Sequence, residues 1–416
     1  MSGTGEGARA IKSDQERQDP TWRQRLDARI DGWLTSQGLY RWALGNPVGR
    51  WITRRRANAL FELMSGFVHS QVLLACVRLG LFERVLAQPS TLAELSRQTG
   101  INKDALQRLL DSALSLQLLE MREGQRYGLG PLGAPVAAHA GLRDMIEHNA
   151  VLYQDLRDPL ALLHNPEGAG MQAYWPYPTD IPAREPAQAR PSGPAKPASP
   201  AHRAENPRPE QDSQSARYSA LMSSSQKFLI EELLAVYPFG RHRCVLDVGG
   251  GQGGWVCELA RREPRLNLML FDLPPVAALA RQRIEQAGLA DRITAYGGSF
   301  TADPLPQGAD LVTLLRVAHD HSDEVVRGLL QAIYRALPVG GSLLLAEPMA
   351  QPGGRPALSD PYFHFYLLAM GAGRLRTASE LGALMQAAGF SKVKALPNPM
   401  PLHASLLLGQ KDKCLP

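Results

Sequence analysis

The stretch from Cys244 to Gly254, CVLDVGGGQGG, constrains this chain more than any other. An apolar run carrying one carboxylate, Asp247, breaks at once into a loop with glycines at Gly249, Gly251 and Gly253. The loop directly follows a buried strand and opens a helix, and glycines there let backbone N–H groups come close to a ligand. Strand-like and helical segments then alternate: WVCELARREP, LMLFDL, VAALARQRIEQAG, ITAYGGSF, ADLVTLLRV, DEVVRGLLQAIYRALP and SLLLAEPM. That order specifies an α/β fold, a Rossmann-like doubly wound sheet with ligands at the carboxyl ends of its strands.

Nicotinamide and flavin proteins place glycine loops at the same point, so the loop alone does not name the ligand. Here the spacing is Asp-x-Gly-x-Gly-x-Gly. A carboxylate at Asp247 opposes a pyrophosphate and suits a ligand with a cationic amino acid end. The second strand ends at Asp272 in FDLP, nineteen residues beyond Gly253, where a carboxylate can accept both hydroxyls of a ribose. The competing role for Asp272 is a cap on the helix VAALARQRI. Together the two features point to S-adenosylmethionine as cofactor and methyl donor, with no metal.

The N-terminal third has a different chemistry. Residues 1–60 carry eleven Arg/Lys against six Asp/Glu, while the remainder carries thirty-four of each, so the net charge of +5 belongs to the arm. Residues 20–56 interleave Trp22, Trp33, Trp42 and Trp51 with arginines, a composition suited either to a lipid headgroup boundary or to packing on a partner subunit. No run of eighteen uncharged apolar residues appears, so a membrane-spanning segment is not expected. The four scattered cysteines, Cys76, Cys244, Cys257 and Cys414, read as reduced thiols of a cytoplasmic protein, with a peripheral contact on the inner membrane as the alternative.

From Phe61 to about Val136 the pattern is that of a winged helix-turn-helix, with Thr91 and Asn102 as helix caps, Gly100 in a turn and a wing hairpin from Arg122 to Gly130. Residues 176–212, dense in Pro, Ala and Arg, cannot bury enough apolar surface to order themselves. A helix is expected to resume near Ser215. A winged helix with a basic pI also raises a DNA-binding regulator. However, the candidate recognition segment NKDALQRLLDSALSLQLLEM is apolar and acidic, and the positive charge lies outside it, so no nucleic acid partner is expected.

Taken in order, LDVGGGQG, FDLP, GGSF before DPLP, LLRVAHDHSDE, AEPM and AAGF make the chain resemble the small-molecule O-methyltransferases of the acetylserotonin and caffeate type. The resemblance implies a homodimer formed through the winged-helix domain. It also implies that Gly298, Ser299 and Phe300 line the adenine, that Arg316 contacts the cofactor, that His319 is the general base, and that Glu347 steadies its second nitrogen. Ser299 stands where the family usually has Asp, and Leu375 where it has a further glutamate. A structural histidine is the competing role for His319. A metal site built from His319, Asp320 and His321 is disfavoured because neighbours on a strand point to opposite faces. The expected organisation is a basic Trp/Arg arm (1–60), a winged-helix dimerisation domain (61–150), a helical connector (151–175), a Pro-rich disordered insertion (176–212) and the S-adenosylmethionine-binding domain (213–416).

Within that family, Asp360 to Arg374, DPYFHFYLLAMGAGR, is most similar to the carotenoid O-methyltransferases of purple photosynthetic bacteria, which act on hydroxyneurosporene or demethylspheroidene. The implied acceptor is a hydrophobic small molecule, a tertiary hydroxyl on an acyclic carotenoid, and the implied location is the face of the photosynthetic membrane. Plain core packing is the competing role for this aromatic segment. A phenol or polyketide acceptor would keep the same enzyme class.

Overall fold

The computed structural model describes residues 21–166, 169–174, 229–351, 359–371, 373–397 and 404–412. The proline-rich segment, and the stretch from Ser215 where a helix is expected up to residue 228, lie outside these residues. The chain forms two compact units, residues 1–72 and 73–416.

The described residues of the first unit are helical: α1 (Trp22–Leu34), α2 (Gln37–Gly45) and the start of α3 (Pro47–Arg78). Ser36 caps α2 by accepting from the Leu39 N–H at 3.1 Å, and Asn46 accepts from Gly49 at 2.7 Å as Pro47 opens α3. Trp22, Leu26, Ile30 and Trp33 fall on one side of α1 at helical spacing, and all four are exposed. By length and composition α3 could cross a bilayer, although the sequence holds no uninterrupted eighteen-residue apolar run; only 11% of its apolar window is buried.

The second unit begins with α4 (Leu81–Ala87), α5 (Leu92–Thr99), α6 (Lys103–Ser115) and the hairpin β1 (Leu119–Arg122)–β2 (Arg126–Leu129). Thr91 and Glu94 form a reciprocal capping box, Asn102 caps α6, and Gly100 ends α5 in left-handed backbone. The segment taken as one recognition helix is shorter than its sequence suggests. α6 stops at Ser115, Gln117 adopts φ +56°, and the chain re-enters as a strand at Leu119, so the wing starts three residues before Arg122. Helices α7 (Gly133–Ala138), α8 (Ala140–Asp155) and α9 (Pro159–His164) follow.

The sheet comes next in the chain. α10 (residues 229–236) leads into β3 (Cys244–Val248), α11 (Gly254–Arg262), β4 (Asn267–Asp272), α12 (Pro274–Gln286), β5 (Ile293–Gly297), β6 (Leu311–Leu315), α13 (Asp323–Ala336) and β7 (Ser342–Glu347). Beyond these lie the short strands β8 (Met349–Ala350) and β9 (Arg376–Thr377), helices α14 (Ser359–Met370) and α15 (Ala378–Ala387), and the pair β10 (Ser391–Leu396) and β11 (Ser405–Gln410). The strand order is β10-β11-β7-β6-β3-β4-β5, and only β11 runs against the other six.

Both faces of the sheet are covered, which is why its central strands are apolar throughout. Val245, Leu268, Leu270, Leu344 and Ala346 point into one layer with α10, α11 and α12. Their neighbours Leu246, Met269, Phe271, Leu343 and Leu345 point into the other, with α13 and α15. Helix α13 supplies Val326, Leu329, Leu330 and Ile333, one stripe at helical spacing.

Candidate active site

The strand order reverses at β3, which has β4 on one side and β6 on the other; at such a switch point the loops diverge and leave a crevice beyond the strand ends. The loop leaving β3 alternates left-handed glycines: Gly249 at φ +71°, Gly251 at +57° and Gly253 at +78°. A side chain at Gly249 would also meet Val317 at 2.6 Å, whereas around Gly251 nothing lies within 4 Å. The Gly251 N–H donates to Asp272 Oδ2 at 2.7 Å, so the carboxylate ending β4 holds the crest of the loop. Its other oxygen accepts from Leu273 N–H at 2.7 Å, and the cap position of α12 is Leu273, not Asp272.

Asp247 lies buried one strand away and accepts from Thr313 Oγ1 at 2.7 Å, Thr313 being its register partner on β6. Burial pushes the Asp247 carboxyl up to about 7, with the Thr313 bond pulling down and Asp272 adding to the rise. Burial likewise lifts Asp272 to about 6 against the two backbone donors. Two buried carboxylates held above their ordinary range beside a glycine crest fit a ligand that brings a positive charge and sugar hydroxyls, as S-adenosylmethionine does.

Gly298 follows β5, and its N–H donates to the Asp272 carbonyl at 2.9 Å. A Cβ there would meet the Phe271 ring at 2.7 Å. At Ser299, where the family's Asp is missing, another carboxylate arrives: the Ser299 N–H donates to Asp303 Oδ2 at 2.8 Å. The Phe300 ring stands edge-on to His321 at 5.3 Å and so bridges toward the turn after β6. Arg316 opens that turn in left-handed backbone, φ +56°, with its N–H on the Ala346 carbonyl at 2.8 Å.

His319 is buried in a 3-10 turn, Ala318–Asp320, rather than on a strand as the sequence argument about opposite faces assumed. Its Nδ1 lies 2.6 Å from Glu347 Oε2, and its Nε2 lies 3.3 Å from Asp320 Oδ1. Glu347 is fully buried and also accepts from the backbone N–H groups of Val317 at 2.9 Å, Ala318 at 2.8 Å and His319 at 3.3 Å. Burial alone would push the imidazole down, but Asp320 and Glu347 outweigh it and hold His319 above its usual range. Burial lifts Asp320 to about 6.

Sequence reasoning missed three groups that complete this arrangement. Asp320 faces the outer ring nitrogen, and Thr313 anchors Asp247. Arg376, also buried, clamps the turn from below: its guanidinium donates to the Ala318 carbonyl, the His321 carbonyl and Asp323 Oδ1, each at 2.7 Å. Nothing local marked it, since Arg376 sits beside Arg374 and Thr377 and its partners lie more than fifty residues away. Among the described residues, no cluster of three or more His, Cys, Asp or Glu could hold a metal ion.

Outside the sheet's two layers, α14 packs Tyr366, Leu367 and Met370 with Leu152 of α8, Leu162 of α9 and Leu375. Two neutral pairs tie α8 to α14: Tyr362 donates to Asn149 at 3.0 Å, and His148 Nε2 meets the Tyr366 hydroxyl at 3.3 Å. Burial pushes His148 down to about 4 and Tyr362 up to about 12, so neither carries charge near neutral pH. A separate open groove of about 830 Å³, lined by Asp303, Leu305 and α13, includes Phe300 but none of Asp247, Asp272, His319 or Glu347.

Comparison with known proteins places this geometry. Residues 205–391 match the O-methyltransferase domain and residues 61–137 the O-methyltransferase dimerisation domain. Demethylspheroidene O-methyltransferase of Cereibacter sphaeroides is 39% identical over 371 residues, 89% of this chain and 91% of that protein. The enzyme of the same name from Rhodobacter capsulatus is 35% identical, over 88% and 85% respectively. In fold, the chain is similar to apo S-adenosylmethionine-dependent methyltransferase SibL (TM-score 0.69, 22% identity, 85% of this chain and 99% of that one). Human N-acetylserotonin methyltransferase in complex with its donor is similar too (TM-score 0.64, 22% identity, 86% and 98%). A doubly wound sheet with its glycine cradle, a winged-helix dimerisation domain and relatives spanning nearly the whole chain make this protein a member of the S-adenosylmethionine-dependent O-methyltransferase family.

Proposed function

We propose that the chain methylates a tertiary hydroxyl on an acyclic carotenoid, as a homodimer, with His319 as general base. Chief support for the acceptor is the neutral, apolar wall of α8 and α14, into which Leu375 packs at the position of the family's second glutamate. A long polyene offers nothing for a buried charge to pair with, and the two demethylspheroidene O-methyltransferases share this acceptor class by name.

In this reading Asp247, Gly249, Gly251, Gly253 and Asp272 hold the donor, Gly298, Ser299 and Phe300 lie along its adenine, and Arg316 contacts it. S-adenosylmethionine, when bound, supplies an electrophilic methyl group on a sulfonium. His319 takes the acceptor's proton at Nε2, while Glu347 accepts a hydrogen bond from Nδ1–H and fixes the tautomer. Asp320, facing Nε2, stabilises the imidazolium that results. A tertiary alcohol is far too weak an acid to be ionised beforehand by an imidazole, even one held above its usual range, so proton removal accompanies methyl transfer. Alignment in a water-poor site then carries more of the rate than the base does.

Product analysis tests the proposal. The purified protein, given labelled donor, should transfer label to a hydroxylated acyclic carotenoid in detergent and not to a phenolic or naphthoate acceptor. Label on the phenol alone would overturn it.

A further inference from the structure

Nothing in the catalytic account uses the helical arm before residue 57, yet among the described residues every exposed tryptophan lies on it. Trp22, Trp33, Trp42 and Trp51 are 70%, 59%, 64% and 63% exposed, a large area to leave in water without a partner. Around them residues 21–56 carry eight arginines against two aspartates, while residues 61–416 are balanced at thirty-four of each sign. Arg23 lies over the Trp22 ring at 5.4 Å and Arg55 over Trp51 at 5.7 Å, so cation and aromatic face are presented together.

We propose that this arm is a docking surface for an anionic phospholipid bilayer. Tryptophan rings settle at the headgroup boundary, where one edge is apolar and the other wet, and arginine pairs with lipid phosphate. On α1 the apolar residues form a single stripe (Trp22, Leu26, Ile30, Trp33), as a helix lying in the plane of an interface requires. Charge decides between a lipid surface and a second copy of the chain. A copy presents a neutral body and an equally positive arm, which gain nothing from the arginines, whereas an anionic leaflet attracts each of them. The exposed apolar residues that follow, Phe61, Leu63, Met64 and Phe67, fall within the matched dimerisation domain and are not part of this surface. The proposal draws on the carotenoid reading only for its purpose, since such an acceptor resides in the bilayer.

Vesicle sedimentation of the full chain, without donor or acceptor, tests it. The protein should pellet with phosphatidylcholine vesicles containing phosphatidylglycerol, remain in solution with phosphatidylcholine alone, and leave the pellet in high salt. Replacing Arg54, Arg55 and Arg56 together by Ala should weaken partitioning about a hundredfold. Tryptophan emission should shift to the blue on vesicles, a shift reduced by Trp22→Ala and Trp51→Ala. These variants should methylate detergent-held acceptor at the unaltered rate, so a wrong acceptor and a wrong docking surface give different results. Absence of pelleting would overturn the proposal. So would equal binding to neutral vesicles, retention through a carbonate wash, which indicates a spanning helix, or arm variants that change the oligomeric state but not vesicle binding.

Discussion

Replacing Glu347 by Gln keeps the shape of a fully buried side chain and removes its charge. The carboxylate accepts four hydrogen bonds: from the N–H groups of Val317 and Ala318 on one oxygen, and from the backbone and ring of His319 on the other. Gln can keep the first pair, but its amide nitrogen then faces the second as donor against donor. Losing one charge-assisted bond costs roughly 1.5–3 kcal/mol, so the folded state should weaken by about that much. The larger effect is on the imidazole. To accept from the amide, Nδ1 must give up its proton, which moves to Nε2, the nitrogen the acceptor needs free. General-base contributions span about a hundredfold to ten-thousandfold, and an acceptor that is barely acidic places this one near the lower end. Single-turnover methyl transfer with carotenoid in detergent, beside calorimetry with S-adenosylhomocysteine, should show a rate about a hundredfold slower at unchanged donor affinity. Because Glu347 is among the charges that raise His319, the alkaline rise of the rate with pH should also move to lower pH. In a His319→Ala background the same change should slow transfer little further. A full additional hundredfold there, or a wild-type rate in the single variant, would refute the coupling.

Further outcomes concern the donor cradle and the turn. Asp272→Asn should weaken S-adenosylhomocysteine binding about tenfold to a hundredfold, the loss of one charge-assisted bond, and unchanged affinity by calorimetry would put the nucleotide elsewhere. Asp272 and Asp247 sit at about 6 and about 7 in the folded chain. Donor affinity should therefore fall as pH drops through that window, while these raised acids make the ligand-free fold lose stability as pH rises through it; titrations and melts between pH 5 and 8 check both signs. Arg376→Met strands the Ala318 and His321 carbonyls and should cost about 3 kcal/mol in urea unfolding, with a lower kcat at unchanged donor KM. Arg376→Lys should recover part of the rate; equal loss in both variants, or a donor KM that rises instead, would argue against a positioning role.

Local chemistry made part of this structure legible in the sequence. The glycine loop after β3, the helix caps at Thr91 and Asn102 and the carboxylate closing β4 each follow from residues within a few positions of one another. The pairing of Asp247 with Thr313, sixty-six residues apart, depends on a parallel register that no local pattern encodes. The same holds for Arg376 under the His319 turn. Gln117 misled for the opposite reason: helical periodicity runs through it, and only a left-handed backbone at that residue turns LQLLEM from helix into strand. Asp320 was discounted on the geometry of a strand that is in fact a tight turn.

Within the seven-stranded sheet, the single strand that runs against its neighbours bears on how the protein is made. β11 is hydrogen-bonded along β7 with Ser405 opposite Glu347, so the sheet's last strand in chain order is the one that flanks the residue behind the histidine. During translation the glycine cradle can assemble early, since β3, β4 and β6 have already left the ribosome, but β7 keeps an open edge until residues 405–410 arrive. A nascent chain stalled before Ala404 would hold a donor site without a finished catalytic edge, and the bare strand would be a ready template for aggregation. Assembly of that edge thus waits on the last strand of the sheet in chain order.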